Sequence, residues 1–369
     1  MEQMGINMSC GQTDIRPECL ETLAMPVRTP VYYPGYQSLE AETVALLKKL
    51  LHAEQGDVTL MLGTATYGLE AAIWNAIEPG DTVITANTGV FGHLQTDIAQ
   101  AAGANVIELP VTPGQAVRPE AVEQALKEHP ETKLVGIVYS DTSTGVLSPV
   151  WDIGRVVRRF PDAVFLVDAV SAFGGVAVRF DEWHIDFCCT TSQKCLNAPQ
   201  GVAIVAISPT GWKRIDSRSK PIGLRSMNFR VWKGSFVLTR ALHTAVKAVF
   251  DEGPEEVYRR HRVAGRAMRE AMRALGLPVL ASDADASPTC TKVAWPSALN
   301  MEVFRTRLEQ EYGIAMAGER FGTMGYFARP QYVLPTISAV ERCLRDFQIP
   351  VELGRGLQAA NRVFAEGME

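Results

Sequence analysis

The chain is predicted to be an α/β protein, with a mostly parallel sheet between helices followed by a smaller α+β unit. Three observations carry that expectation. Short β-branched runs alternate with stretches of helical spacing through the middle of the 369-residue chain, the pattern that builds parallel sheets. The strand candidates are apolar almost throughout, as strands covered on both faces can be. The length is more than twice the roughly 150 residues of a typical domain, so a second, smaller unit is expected.

In chain order, the strand candidates are Thr82–Ala86 (TVITA), Asn105–Leu109 (NVIEL), Leu134–Tyr139 (LVGIVY), Val164–Val167 (VFLV), Ile185–Thr190 (IDFCCT) and Val202–Ile207 (VAIVAI). Between them, Gly68–Ile77, Leu94–Ala102, Pro119–Glu128 and Val150–Arg159 have helical spacing. The segment Ser208–Gly234, rich in Lys, Arg, Ser and Gly, breaks the alternation. A long helical stretch follows over Val237–Leu275, interrupted around Gly253–Pro254. Its second half carries Arg259, Arg260, Arg262, Arg266, Arg269 and Arg273, read as a solvated helix face on a connector in preference to a face for an anionic partner. From Lys292 onward, TKVAW, MEVFRTRLEQEY, GIAMAG and VLPTISAVERCLRDF read as strand, helix, strand, helix. The expected divisions are an N-terminal arm over residues 1–20, a large unit over 21–253 and a small unit over 254–369.

Composition narrows the function classes. With 47% apolar and 21% charged residues, the chain is neither disordered, collagenous nor a coiled coil. A net charge of −5 gives no global pull toward nucleic acid or anionic lipid. The N-terminus MEQMGINMSCGQ lacks the charged and apolar regions of a signal peptide. The longest apolar runs, such as Gly201–Ile207, are strand-sized and fall short of a membrane span. The seven cysteines, Cys10, Cys19, Cys188, Cys189, Cys195, Cys290 and Cys343, include no C-x-x-C pair, so neither a zinc knuckle nor a redox motif is available. Free thiols in a reducing compartment fit them best. The expectation is a soluble, cytoplasmic protein with small-molecule partners, no metal, and neither nucleic acid nor membrane as a partner.

The strongest local signal is Thr191-Ser192-Gln193-Lys194-Cys195-Leu196-Asn197, lying between two apolar strands. Upstream, the strand Val164–Val167 ends in Asp168. Ligands of open α/β sheets gather at the carboxyl ends of strands, so an acid and a lysine at two such ends make a chemical pair. A lysine amine forms a Schiff base with a carbonyl cofactor, and a carboxylate holds a pyridine nitrogen protonated so that the ring accepts electrons. The plain alternative is a surface lysine and a strand-end aspartate, each common alone. Three further segments are ambiguous by themselves. Gly63-Thr64-Ala65-Thr66-Tyr67-Gly68 opens a helical run, either as an anion site or as N-capping by Thr64 or Thr66. Asp141-Thr142-Ser143-Thr144-Gly145 offers hydroxyls to a ligand or to its own turn. Phe91, after the strand Thr82–Ala86, stacks on a flat ligand or belongs to the core.

Taken in order, the segments GTATYGLEAAIWNAIEPGD, ANTGVFG, DTSTGVLSP, LVDAVSAFGG and TSQKCLNAPQG resemble the class V branch of the fold-type I pyridoxal-phosphate aminotransferases. The resemblance spans roughly Met8 to Leu344. It is similar in particular to the family's alanine–glyoxylate, serine–pyruvate and pyridoxamine–pyruvate transaminases, the last through Asp251–His261 and Ala281–Thr289. It implies a seven-stranded, mostly parallel sheet, the cofactor pyridoxal 5′-phosphate, and a homodimer with active sites at the subunit interface. Lys194 would carry the cofactor as a Schiff base and shuttle a proton, while Asp168 would pair with the pyridine nitrogen. Phe91 would stack on the ring. Thr64, Ala65 and Thr66 would receive the phosphate, with Gln193 closing the cradle and Ser143 near the ring's 3′ oxygen or the substrate.

The resemblance further implies a substrate arginine in R-x-G-x-M-G, read at Arg320-Phe321-Gly322-Thr323-Met324-Gly325, where a two-pronged hydrogen bond grips a carboxylate. The preceding loop is several residues short, leaving Arg329 or Arg225 as substitutes and Tyr33 as a further substrate contact. Lys233 stands where relatives present a threonine to the neighbouring subunit's phosphate, replacing a hydroxyl by a point charge. The implied reaction moves an amino group from a small amino donor to pyruvate, glyoxylate or a similar oxo acid. The same pair of Lys194 and Asp168 equally serves elimination, γ-substitution or carbon–carbon bond formation. A degenerate binding protein would have no use for that pair.

Overall fold

The computed structural model describes residues 5–26, 34–222, 224–231 and 234–367. A short strand, β1 (Ile6–Asn7), and two helices, α1 (Pro17–Ala24) and α2 (Pro34–Leu51), precede the central sheet. The sheet region then runs β2 (Asp57–Leu62), α3 (Ala65–Ala76), β3 (Thr82–Asn87), α4 (Val90–Ala101), β4 (Asn105–Pro110), α5 (Pro119–Glu128) and β5 (Leu134–Val138). After a hairpin of β6 (Ser140–Asp141) and β7 (Val146–Leu147) come α6 (Val150–Val157), β8 (Val164–Asp168), β9 (Phe187–Thr191), β10 (Val202–Ile207) and α7 (Pro209–Asp216). The remainder is α8 (Phe236–Glu252), α9 (Pro254–Ala274), β11 (Cys290–Lys292), α10 (Met301–Tyr312), β12 (Ile314–Ala315), β13 (Arg320–Gly322), α11 (Pro330–Asp346) and α12 (Arg355–Glu366).

Seven strands form one sheet in the order β2-β10-β9-β8-β5-β3-β4. The pairs β3–β4, β3–β5, β5–β8 and β8–β9 are parallel, and β10 runs against both of its neighbours. Alternate residues of each strand enter two different cores, because successive side chains point to opposite faces. Val135, Ile137, Phe165, Val167 and Ile204 face one core with residues of α2, α5, α6 and α8. Leu134, Val164, Leu166, Ala203 and Val205 face the other with α3 and α4. Helices therefore cover both faces, which is why Val202–Ile207 is buried at every position. Gly68 lets α3 approach the sheet, since a Cβ there would lie 2.9 Å from that of Ala203.

The sheet has one strand more than the six apolar runs indicate. β2 completes it at the edge beyond β10, in register from Val202 opposite Leu62 to Ile207 opposite Asp57. A separate core joins Met8, the inner face of α9, Val293, Phe304, Phe321 and residues of α11 and α12. Its short strands pair β11 with β13 and, in parallel, β1 with β12. Thus the first described residues are tied to residues more than three hundred positions later.

The arginine-rich face of α9 differs from the solvated surface expected. Arg260 and Arg269 are buried. Arg260 binds Glu252 and the Gly325 carbonyl, and Arg269 donates to the Ser287 carbonyl. Arg259, Arg266 and Arg273 pair with Glu256, Glu366 and Glu270. Arg262 is exposed as expected, but the other five guanidinia find acceptors supplied by another segment or by their own helix, so the face joins parts of the molecule. Among the described residues, no helix is long and apolar enough to cross a membrane.

Candidate active site

The site forms where parallel strands end. β8 ends on Asp168, in register with Val138 of β5 and Cys189 of β9. One Asp168 oxygen accepts from the Val170 N–H at 2.9 Å, and the other has no hydrogen-bond partner among the described residues. Burial pushes the carboxyl up to about 6; Asp141 adds to the rise, while the Val170 N–H and the Lys194 ammonium oppose it.

β9 ends at Thr191, and the tight loop that follows presents Lys194. The loop is held by Asn197 N–H to the Lys194 carbonyl at 3.0 Å and by Ser192 Oγ to the Pro199 carbonyl at 2.6 Å. Asn197 closes the turn with a left-handed φ of 54°. The Lys194 side chain is buried and its ammonium donates to the Cys10 carbonyl. Burial lowers its pKa, against the pull of Cys10, Cys195, Cys290 and Asp168, so neutral amine is more accessible than on a surface lysine.

Two further ends converge on this pair. At β2, Thr64 caps α3 by accepting from the Tyr67 N–H at 3.3 Å. Ala65 and Thr66 then open the helix with N–H groups free for an anion, so capping and anion binding coexist at this loop. Gln193, in the lysine loop, accepts through its side-chain Oε1 from Thr191 Oγ at 2.5 Å. At β3, Gly89 caps α4, and Val90 N–H donates to Ser143 Oγ at 2.8 Å. Ser143 in turn donates to buried Asp141 at 2.6 Å. A Cβ at Gly89, whose φ is 153°, would lie 2.2 Å from Ser143 Oγ, so the backbone there approaches as closely as it does only because the residue is glycine.

Phe91 and Ser143 line a cavity of about 480 Å³ together with Val90, Lys292, Met301, Arg305, Glu319 and Arg320. Arg320 is fixed by two carbonyls, donating to Thr142 at 3.1 Å and Ala317 at 3.3 Å, and no carboxylate of the described residues neutralises it. Arg329 lies elsewhere. Its guanidinium is 2.9 Å from Glu252, in a different cavity with Arg259, Arg260 and Phe364. Arg225 sits in the exposed turn Arg225–Met227. Tyr33 and Lys233 lie outside the described residues.

Several site residues were invisible to local sequence patterns. Cys10, whose carbonyl takes the Lys194 ammonium, is 184 positions away. Thr13 Oγ donates to the Gln193 carbonyl at 2.8 Å and lies 2.9 Å from that of Lys194. Arg16 N–H donates to the Asn197 carbonyl at 2.9 Å. Asp141 was legible as part of a hydroxyl-rich turn, but its role as the anchor of Ser143 and of Gly92 N–H, at 3.1 Å, needed the fold.

An unpaired carboxylate oxygen, a buried amine, an aromatic ring and a helix N-terminus together suit a ligand with a basic ring nitrogen, a carbonyl and a phosphate. That is the donor set pyridoxal 5′-phosphate requires, and the residues fit it. Comparison with known proteins gives the same answer. Residues 37–222 match the family model "Aminotransferase class-V". The chain is 33% identical to an aminotransferase of Methanocaldococcus jannaschii, covering 96% of each chain. It is 30% identical to the pyridoxamine–pyruvate transaminase of Mesorhizobium japonicum, over 96% of this chain and 95% of the other. The crystal structure of ureidoglycine–glyoxylate aminotransferase from Bacillus subtilis superposes with a TM-score of 0.93 at 30% identity, covering 99% of both chains. The chain belongs to the class-V aminotransferases. It is a pyridoxal-phosphate-dependent enzyme of fold type I.

Proposed function

We propose that the protein moves an amino group from a small amino donor to pyruvate, glyoxylate or a similar oxo acid in two half-reactions. The observation that carries this reading is the pairing of buried Lys194 and Asp168 at the ends of adjacent strands, in a chain whose Phe91 and Ser143 share a cavity with an un-neutralised arginine, Arg320. Relatives named for pyruvate and glyoxylate as partners support the choice of acceptor.

The bound cofactor supplies an electron sink that stabilises the negative charge left at the substrate's Cα. Lys194 would hold it through its amine and, as a free amine, would move the proton at the substrate's Cα, a task suited by its lowered pKa. Asp168 keeps the ring nitrogen protonated with its free oxygen. Phe91 would stack on the ring, Ser143 would hydrogen-bond beside it, and Gln193 and the α3 N-terminus at Thr64, Ala65 and Thr66 would hold the phosphate, with Lys233 as a further charge. Arg320 grips the substrate carboxylate; Arg329, engaged by Glu252, is left with a structural role. Tyr33 belongs to the same proposal as a substrate contact.

The assembly proposed is a homodimer in the cytoplasm. Large apolar side chains beside the site are uncovered in the single chain, Val90 at 66% and Leu62 at 45% exposure, and all seven cysteines are free. Within each subunit the proposed divisions are an arm over 1–20, a cofactor-holding unit over 21–253 and a substrate-side unit over 254–369. Gly253, with φ 92° between α8 and α9, and the separate core around α9 support that boundary.

The test is spectroscopic. The visible absorption of the protein loaded with pyridoxal phosphate should bleach with an amino donor such as alanine and return on adding pyruvate or glyoxylate. Lys194→Ala should do neither. A spectrum that no donor changes, or a Lys194→Ala protein that still turns over, would overturn the reading.

A further inference from the structure

The cavity beside Phe91 and Ser143 holds more positive charge than one substrate carboxylate neutralises. Lys292, Arg305 and Arg320 line it with a single acid, Glu319. Glu319 is already ion-paired with Lys292, so both are accounted for. Arg320 is oriented by the carbonyls of Ala317 and Thr142, which aim a cation without cancelling it. Arg305 is different: it is half-buried, yet it makes no hydrogen bond or ion pair with any described residue. It sits four positions after Met301 on α10, and both line the cavity, consistent with a shared helix face. A guanidinium partly withdrawn from water without an acceptor loses solvation that no described residue restores. Val90 and Met301 add apolar wall to the cavity that Arg305 and Arg320 line, suited to a short methylene spacer.

We propose that Arg305 binds the second acidic group of a dicarboxylic substrate, so that at least one of the two partners in the reaction is a dicarboxylic amino acid or oxo acid. The proposal rests on the aminotransferase reading above, in which Arg320 takes the carboxylate next to the reacting carbon. A planar guanidinium fits a carboxylate through two parallel hydrogen bonds, and a substrate carrying one carboxylate leaves Arg305 unused.

The test compares paired substrates in the wild type, Arg305→Met, which keeps an unbranched stem and removes the charge, and Arg305→Lys. For Arg305→Met, kcat/KM with aspartate or oxaloacetate should fall about tenfold or more, equivalent to about 1.4 kcal/mol. With alanine or pyruvate it should stay within about twofold, and Arg305→Lys should recover part of the loss. Calorimetric titration of the loaded enzyme with maleate and with propionate gives a readout independent of turnover. Maleate affinity should drop in Arg305→Met while propionate affinity does not. A variant that weakens both classes alike, or neither, would overturn the assignment. Failure of the aminotransferase reading would look different: no amino transfer from any donor by the wild type, with maleate and propionate still distinguished by Arg305.

Discussion

Asp168 illustrates how a buried charge is set up to meet a ligand at a cost to the empty protein. With one backbone donor and an otherwise unmatched oxygen, its carboxyl titrates near 6 in the fold against an ordinary value of 3.8. Between these values the folded state binds more protons than the unfolded one, so Asp168 lowers stability progressively as pH rises from about 4 to about 6, and the penalty persists above. The cofactor-free Asp168→Asn protein should therefore be more stable than the cofactor-free wild type at pH 7.5, by up to about 3 kcal/mol at 1.36 kcal/mol per unit. The difference should vanish below pH 4. Denaturant melts at the two pH values check it, and a pH-independent difference would show that Asp168 is solvated. Loaded with cofactor, the same variant should lose activity by several orders of magnitude, because an amide cannot supply the negative charge proposed to face the ring nitrogen. Gly89→Ala should act on geometry alone. Its methyl group would collide with Ser143 Oγ, so we expect a loss of roughly 1–3 kcal/mol and weaker cofactor retention, read from melting temperature and bound absorbance; an unchanged protein would contradict the close approach.

At the scale of elements, the joint between α8 and α9 depends on one carboxylate. Glu252 binds Arg260 at 2.5 Å and Arg329 at 2.9 Å. Burial raises its pKa, but the two guanidinia outweigh burial and hold it below the usual range. A depressed value means stability that is present above the ordinary carboxylate pKa and lost as pH falls through the folded one. Glu252→Gln should destabilise the protein by a few kcal/mol, since buried Arg260 loses its partner, and the wild type should approach the variant's stability in acid. Unfolding curves of both at pH 7 and pH 3.5 would show a constant gap if the pair were immaterial. Legibility in the sequence followed length and periodicity. Val202–Ile207 and Pro119–Glu128 were read to the residue, because six apolar residues in a row or three helical turns leave a pattern. β2 escaped, being a short edge strand whose end residues Asp57 and Leu62 are exposed. β13, at three residues, is too brief to show any period, whereas the two residues of β12 lie inside GIAMAG, which was read as a strand. The arginines of α9 were misread because charge spacing says nothing of which acceptors another segment brings. The motifs around Lys194, Asp168 and the hydroxyl turns were legible because they are local; that Glu252 engages Arg329 was not, since it depends on segments that only the fold brings together.

The whole molecule is closed by its beginning. Residues 5–16 cross the Lys194 loop through Cys10, Thr13 and Arg16, and Met8 fills the core around α9. Removing residues 1–16 should lower the melting temperature and speed cofactor loss; a truncated protein that keeps its cofactor with wild-type kinetics would show the arm to be ornamental. The pairing of Ile6 with Ile314 also has a consequence in time. A ribosome emits the arm first, yet its partner strand emerges only when the chain is nearly finished. Cys10, Thr13 and Arg16 can meet the lysine loop once residue 197 is made, but the strand that anchors the arm stays unpaired until residue 314. Full anchoring of the arm then becomes a late event that marks a completed chain, and nascent chains halted before residue 314 should release pyridoxal phosphate faster than the complete chain.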